Sequence, residues 1–306
     1  MFFAQYIGEF AAIGTSIAFA FGSTLFTLSG RLIGSPLVNR TRLVIALLGV
    51  MLVHVIWFGD VIPQDAGFQP WFWLSVSGFV GLAIGDGFLF QAFVMIGPRL
   101  SMLIFSLSPV IGSLLAFLFL GETLDAFDLL GIVITIAGIA IVVTERSEKP
   151  KNDETTPESP RYFIYGMLFA LGGAFGQAGG QVLAKAGLAN DFPTFSALLI
   201  RLIAATITIW MLTIAQKQVV SSYRNLKANP TAVKMLIVAA LLGPIIGVWL
   251  SLVAIQNSPI GIATTLSSLT PIFLIPISYF VFGDKVTAQA LIGTIIAVAG
   301  TALLFF

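Results

Sequence analysis

The sequence contains no cysteine, and only 9% of its 306 residues are charged. The absence of cysteine excludes disulfides, thiolate metal sites and cysteine nucleophiles. A water-soluble domain has about a quarter of its residues charged, so this chain could not cover its surface in water. The formal net charge of +1 provides no basic footprint for nucleic acid. No Lys or Arg precedes Arg31, so the start lacks a signal peptide's basic region, and the first apolar segment is expected to be a permanent helix.

Apolar residues make up 58% of the chain, and the mean hydropathy is +1.01. They form runs long enough to cross a bilayer, which takes about 20 residues per helix. The runs do not alternate between apolar and polar residues as barrel strands do, so they predict helices. The sequence therefore predicts an all-α membrane protein without cofactors or metal. Its ten predicted spans are 8–28, 42–59, 72–94, 99–120, 126–144, 162–184, 194–214, 232–255, 260–282 and 286–306.

The two halves of the chain repeat one pattern at a constant offset of 162 residues. The matched pairs are Pro109 with Pro271, Gly121-Glu122 with Gly283-Asp284, Gly131 with Gly293, Gly138 with Gly300, and Gly81 and Gly85 with Gly243 and Gly247. With small shifts, Pro98 matches Pro259 and Arg42-Leu43 matches Arg201-Leu202. Five helices per repeat is an odd number, so the second copy must enter the membrane from the opposite face.

This inverted repeat divides the chain into three parts. Residues 1–144 form the first five-helix repeat and residues 162–306 form the second. Residues 145–161 form a linker, because they are rich in charge, proline and serine. Many transporters are built from inverted repeats, with the substrate site near the midplane of the bilayer.

These motifs resemble the EamA-type members of the drug/metabolite transporter superfamily, over nearly the whole chain. The resemblance rests on the prolines of the fourth and ninth helices, the two Gly-acid turns, and the glycines of the fifth and tenth helices. It implies a plasma-membrane transporter for a small solute, with a cavity alternately open to each side and driven by protons or by exchange. One departure is visible: such proteins often carry a tryptophan in the middle of the first helix, and residues 18–26 read AFAFGSTLF.

Asp86 is the one carboxylate deep inside a predicted span. A charge there is costly, so the side chain should face the bundle interior or water. Our hypothesis is that Asp86 takes up and releases a proton during transport, and Gln91, Gln177 and Gln181 are polar groups that could share its cavity. The alternative is a hydrogen-bonded packing role for Asp86.

Two further ionisable residues lie inside predicted spans. Arg201 is about two turns inside the seventh span, where it either extends to the interface or binds an anionic group of the substrate. His54 is the only histidine of the chain. It either forms a hydrogen-bonded contact between helices or acts as the proton carrier in place of Asp86.

Pro109 and Pro271 lie well inside apolar spans, where each removes a backbone hydrogen bond and disfavours a straight helix. One interpretation is structural, since nearby serine and threonine hydroxyls could bond the freed carbonyls. The other is that the two broken helices line the substrate path and act as gates. Their matching places in the two repeats favour gating.

Small residues recur at four-residue spacing in the third, sixth and eighth spans, as Gly81 and Gly85, Gly172, Gly176 and Gly180, and Gly243 and Gly247. Such spacing lets helices approach closely, either for tight packing or for sliding of one repeat against the other. The Gly-acid turns at Gly121-Glu122 and Gly283-Asp284 are interpreted as structural caps.

A secondary transporter of a small polar, zwitterionic or drug-like metabolite is the function that these features favour. An intramembrane enzyme is the alternative, but Asp86 has no second deep carboxylate as an acid/base partner. Zincin HExxH and Walker A motifs are also absent. A non-transporting membrane component is the third class, and the inverted repeat argues against it.

The charge pattern predicts the orientation. All loop cations except Lys185 fall on the face that carries the 145–161 linker. The positive-inside rule makes this face cytoplasmic and leaves both termini outside, whereas the resemblance implies termini inside. A reporter that is active only in the cytoplasm, fused after Phe306, should therefore be inactive. An active reporter would reverse the orientation, and termini on opposite faces would rule out ten spans.

Overall fold

We obtained a computed structural model that describes residues 6–64, 66–120, 126–144, 160–188, 192–257, 266–284 and 286–303. These residues are almost entirely helical and contain no strand, as the sequence predicts. The first repeat contains α1 (Ile7–Ile33), α2 (Ser35–Phe58), α3 (Phe68–Ser77), α4 (Asp86–Phe105), α5 (Ser108–Leu120) and α6 (Ala126–Thr144). The second contains α7 (Pro160–Gly187), α8 (Thr194–Ala215), α9 (Val219–Ala228), α10 (Pro230–Ala240), α11 (Val248–Asn257), α12 (Thr270–Phe282) and α13 (Ala288–Leu303).

The predicted membrane architecture is confirmed. Six described helices are long and apolar enough to cross a membrane, and α12 and α13 are shorter apolar helices. One of the six, Phe68–Phe105, contains the third span and the start of the fourth, which separate at Gly97 with a φ of 78°. The turn at Gly121-Glu122, most of the linker and the start of the ninth span lie outside the described residues.

The second span begins earlier than the predicted residue 42. Gly34, with a φ of 84°, ends α1, and α2 begins at once with Ser35 and a proline in its first turn. Arg42, which the charge count placed at a loop edge, therefore lies seven residues inside α2 and is buried. The short helix α9 was not predicted, because its sequence is polar overall.

A π-helical segment interrupts each repeat at the same place. The first π segment, Gly78–Gly85, joins α3 to α4, and the second, Leu241–Gly247, joins α10 to α11. They contain the glycine pairs that match between the repeats, Gly81 and Gly85 with Gly243 and Gly247. Widened π turns are rare and often accompany functional sites. The duplication thus extends to an unusual detail of the backbone.

The two repeats pack against each other in matched pairs of helices. α1 packs on α10 and α11, and the equivalent α7 packs on α3 and α4. α2 packs on α8, and α6 packs on α13. One buried cluster contains Leu43 and Ala46 from α2 together with their equivalents Leu202 and Ala205 from α8. This pairing is what a two-fold pseudo-symmetry axis between inverted repeats requires.

Glycines allow the fifth and tenth spans to touch along their backbones. A Cβ atom on Gly138 of α6 would lie 2.7 Å from the carbonyl oxygen of Gly293 in α13. The symmetry-related contact is present too, since a Cβ on Gly300 would lie 2.8 Å from the carbonyl oxygen of Gly131. Without a strong hydrophobic force inside the bilayer, such close packing holds membrane helices together.

We predict that Gly138→Ala destabilises the protein, although alanine favours helix by about 1 kcal/mol over glycine. The added methyl group has no room, and overpacking typically costs about 1–3 kcal/mol. Gly112→Ala in α5 is the matched control, because a Cβ there meets no atom within 4 Å. When both variants are unfolded in detergent, only Gly138→Ala should be less stable than the wild-type protein. Equal stability of the two variants would contradict the packing.

Candidate functional site

An ion pair joins two residues of the first repeat. Asp86 begins α4 directly after the first π segment, and its Oδ2 contacts Nη2 of Arg42 from α2. The two side chains are only 14% and 6% exposed. A carboxylate in a membrane helix requires a counter-charge or water, and Arg42 provides the charge.

Further contacts fix the guanidinium of Arg42. Its Nε donates to Oδ1 of Asn39 at 3.2 Å, and its Nη2 also lies 3.4 Å from the carbonyl oxygen of Leu82. The guanidinium sits over the ring of Phe90, 4.8 Å from the centroid. Asn39 in turn donates to the carbonyl oxygen of Ala83 at 3.2 Å. Because Leu82 and Ala83 belong to the first π segment, the ion pair is tied to that irregular backbone.

Arg201 enters the same region from the second repeat. It lies seven residues inside α8, against the first π segment. Unlike Arg42, its Nε and Nη2 atoms are buried without a hydrogen-bond partner among the described residues. The glycines of the first π segment give it space, since a Cβ on Gly78 would lie 2.8 Å from Cα of Arg201.

Gln177 of α7 lies near the guanidinium of Arg201. A Cβ atom on Gly81 would lie 3.3 Å from Nη2 of Arg201 and 3.7 Å from Oε1 of Gln177. Oε1 of Gln177 is also buried without a partner in the described part of the chain. The site therefore combines buried donors and a buried acceptor that other protein groups leave unbonded. Such groups are costly unless they bond to something that enters the site.

The structure places the other predicted residues apart from this cluster. Nδ1 of His54 donates to the backbone oxygen of Asp60 at 2.6 Å, and Nε2 lies 3.0 Å from the hydroxyl of Ser196. His54 is twelve residues from Arg42 along α2, or about 18 Å at the helical rise. It thus forms a hydrogen-bonded contact between α2 and α8.

The remaining glutamines, Gln91 and Gln181, lie outside this cluster. Gln91 accepts a hydrogen bond from the hydroxyl of Ser35 at the start of α2. Gln181 lies one turn beyond Gln177 on α7 and is exposed. Of the predicted polar residues, the structure therefore brings together Asp86, Arg201 and Gln177.

Arg42 was missed as a site residue, although the sequence contained a signal for it. Arg42-Leu43 matches Arg201-Leu202 between the repeats, and equivalent residues of inverted repeats approach the same central region. Its position next to Arg40 and a loop made it resemble a surface cation.

Both proline-bearing spans are broken just before their prolines. Turns at residues 106–107 and 268–269 interrupt the helices, and Pro109 and Pro271 are the second residues of α5 and α12. The break in the first repeat is supported by Ser106, whose hydroxyl donates to the carbonyl oxygen of Leu103 at 2.6 Å. Thr270 lies similarly 3.3 Å from the carbonyl oxygen of Ser267. Local hydroxyls thus bond carbonyls near both breaks.

Comparison with known proteins agrees with this architecture. The sequence model of the EamA-like transporter family matches residues 6–144 and 164–306, one match in each half. A protein of known crystal structure, 18% identical, aligns with a TM-score of 0.60 over 98% of this chain and 95% of that chain, which supports the fold. Comparison with curated proteins gives no match. This chain belongs to the EamA-like transporter family and is a multi-pass membrane transporter of the drug/metabolite type.

Proposed function

We propose that this protein is a secondary transporter that carries a small zwitterionic metabolite across the plasma membrane by alternating access. The observation that carries the proposal is the pair of unbonded groups on α8 and α7, the guanidinium of Arg201 and Oε1 of Gln177. A carboxylate of the solute binds Arg201, and an ammonium group of the solute donates to Gln177.

The geometry supports a zwitterion of modest size. Arg201 Nη2 and Gln177 Oε1 both lie within 4 Å of one point beside Gly81, so at most about 7 Å separates them. Guanidinium groups bind carboxylates through two parallel hydrogen bonds, and an amide oxygen accepts from an ammonium group. Both ends of an amino-acid-like solute would therefore find a partner.

The charge of the cluster supports a solute with a single anionic group. Arg42 and Arg201 carry two positive charges and Asp86 carries one negative charge, which leaves one positive charge in excess. One carboxylate would balance this excess in a low-dielectric site. A polyanion would require several more cations than the cluster contains.

Coupling to protons is the second part of the proposal. Protonation of Asp86 would leave the buried guanidinium of Arg42 without its counter-charge, which is strongly unfavourable. Proton uptake is therefore expected only when Arg42 moves away from Asp86 or when another anion approaches. This condition links proton movement to a change in conformation or to the arrival of the solute, as coupled transport requires.

We predict that Gln177→Leu selectively weakens transport of zwitterions in proteoliposomes. Loss of one hydrogen bond to a charged group corresponds to about 1.5–3 kcal/mol, or roughly 10–150-fold in affinity. Gln181→Leu is the control, since this residue is on the same helix and exposed. Equal effects of the two substitutions would argue against a role of Gln177 in binding.

We predict that Asp86→Asn folds but loses concentrative uptake driven by a pH gradient, while downhill exchange persists. The amide keeps the shape of the side chain and removes its titration. Uptake into proteoliposomes with and without an imposed pH gradient measures both activities. Unchanged gradient-driven uptake would refute coupling through Asp86, and His54→Gln would then be the next variant to test.

A further inference from the structure

Asp86 is a single carboxylate, paired with one of two arginines that are related by the repeat. Arg42 lies on α2 and Arg201 lies on its equivalent, α8. At the constant offset between the repeats, the position equivalent to Asp86 is Val248 at the start of α11, which carries no charge. The symmetry of the fold therefore provides two basic groups for one acid.

The three groups lie at different depths in the bundle. We measure depth from the α1–α2 face, the side on which α1 ends and α2 begins. Arg42 is seven residues from this end of α2. The third span and α8 end on the same face, and Asp86 is eleven residues before Gly97, where the third span ends, while Arg201 is fourteen residues before the end of α8. At the helical rise these separations correspond to depths of about 10, 16 and 21 Å, respectively. Asp86 thus lies between the two arginines.

The two arginines have unequal partners in this conformation. Arg42 contacts Asp86, Asn39 and a backbone carbonyl, whereas Arg201 lies against the first π segment and has two buried nitrogens without a hydrogen bond among the described residues. Inverted repeats allow a transporter to exchange the conformations of its two halves, so the repeat-related arginine should take the role of Arg42 in the opposite state.

We propose that Asp86 exchanges its ion pair between Arg42 and Arg201 as the transporter alternates, and that the pair closes the solute path. The pair with Arg42 closes the path towards the α1–α2 face. The pair with Arg201 closes it towards the α2–α3 face, the side on which α2 ends. The arginine that Asp86 leaves free binds the carboxylate of the solute, so this inference rests on the proposed function.

The first π segment provides a means of moving Asp86. A π turn holds one more residue than an α turn, so its conversion to α geometry turns the residues beyond it by roughly 100° about the helix axis. Asp86 follows the segment directly. The segment also touches both basic helices, through the Asn39 contact to Ala83 and through Gly78 against Arg201.

The absence of cysteine allows a test of this exchange that needs no substrate. Single cysteines are introduced along α2 between Arg42 and Phe58, and their labelling by a membrane-impermeant maleimide is measured from each face. Arg42→Gln leaves only the pair with Arg201, which closes the path towards the α2–α3 face. Labelling from the α1–α2 face should therefore rise by about fivefold or more. Arg201→Gln leaves only the pair with Arg42, so labelling from that face should fall. Arg224→Gln, an exposed control on α9, should change neither.

If Arg42→Gln and Arg201→Gln change the labelling in the same direction, or if neither changes it, the proposed exchange is wrong. If a glutamine variant does not fold, the corresponding lysine variants are compared, and their smaller shifts should again be opposite. In an Asp86→Asn background the two substitutions should lose their opposite effects, and persistence of those effects would also refute the proposal. Opposite shifts in a protein that fails to carry zwitterions would refute the proposed function while supporting the exchange.

Discussion

The cost of a charge inside the membrane governs the centre of this protein. Arg42 provides a counter-charge for Asp86 there, and Arg42 is itself held in place by Asn39, Phe90 and the carbonyl of Leu82. Removing one partner of a buried pair typically costs about 3–5 kcal/mol, because the other charge is left uncompensated. Movement of Asp86 away from Arg42 must therefore be matched by another cation or by a proton, and Arg201 lies against the first π segment.

Backbone packing determines where these side chains meet. Glycines of the first π segment face glycines of α7: a Cβ on Gly180 would lie 2.9 Å from Cα of Gly81, and Gly176 packs as closely on Gly85. The hydroxyl of Ser77 donates to the carbonyl oxygen of Gly180 at 2.6 Å. This close approach brings Gln177, which lies between the two α7 glycines, to the same place as Arg201. Tight packing and a polar site are thus consequences of one set of small residues.

Much of the architecture could be predicted from the sequence, because span length, hydropathy and the repeat are patterns that a membrane imposes on every residue of a helix. Asp86, Arg201 and Gln177 were identified because polar groups are rare inside spans. The role of Arg42 was missed, since a one-residue connection at Gly34 moved the start of α2 outward and no local pattern predicts so short a turn. The π segments also escaped prediction, because their sequences are as apolar as an ordinary helix.

The central claim is that a guanidinium left free by Asp86 selects a solute with one carboxylate. The most direct measurement is a metabolite-wide transport screen in proteoliposomes containing the wild-type protein or Arg201→Lys. We expect uptake of small zwitterions by the wild type, with a loss in Arg201→Lys that is larger for these solutes than for any others, because an ammonium cannot form the paired bonds of a guanidinium. Selective transport of a multiply phosphorylated solute, or an unchanged substrate profile in Arg201→Lys, would contradict it.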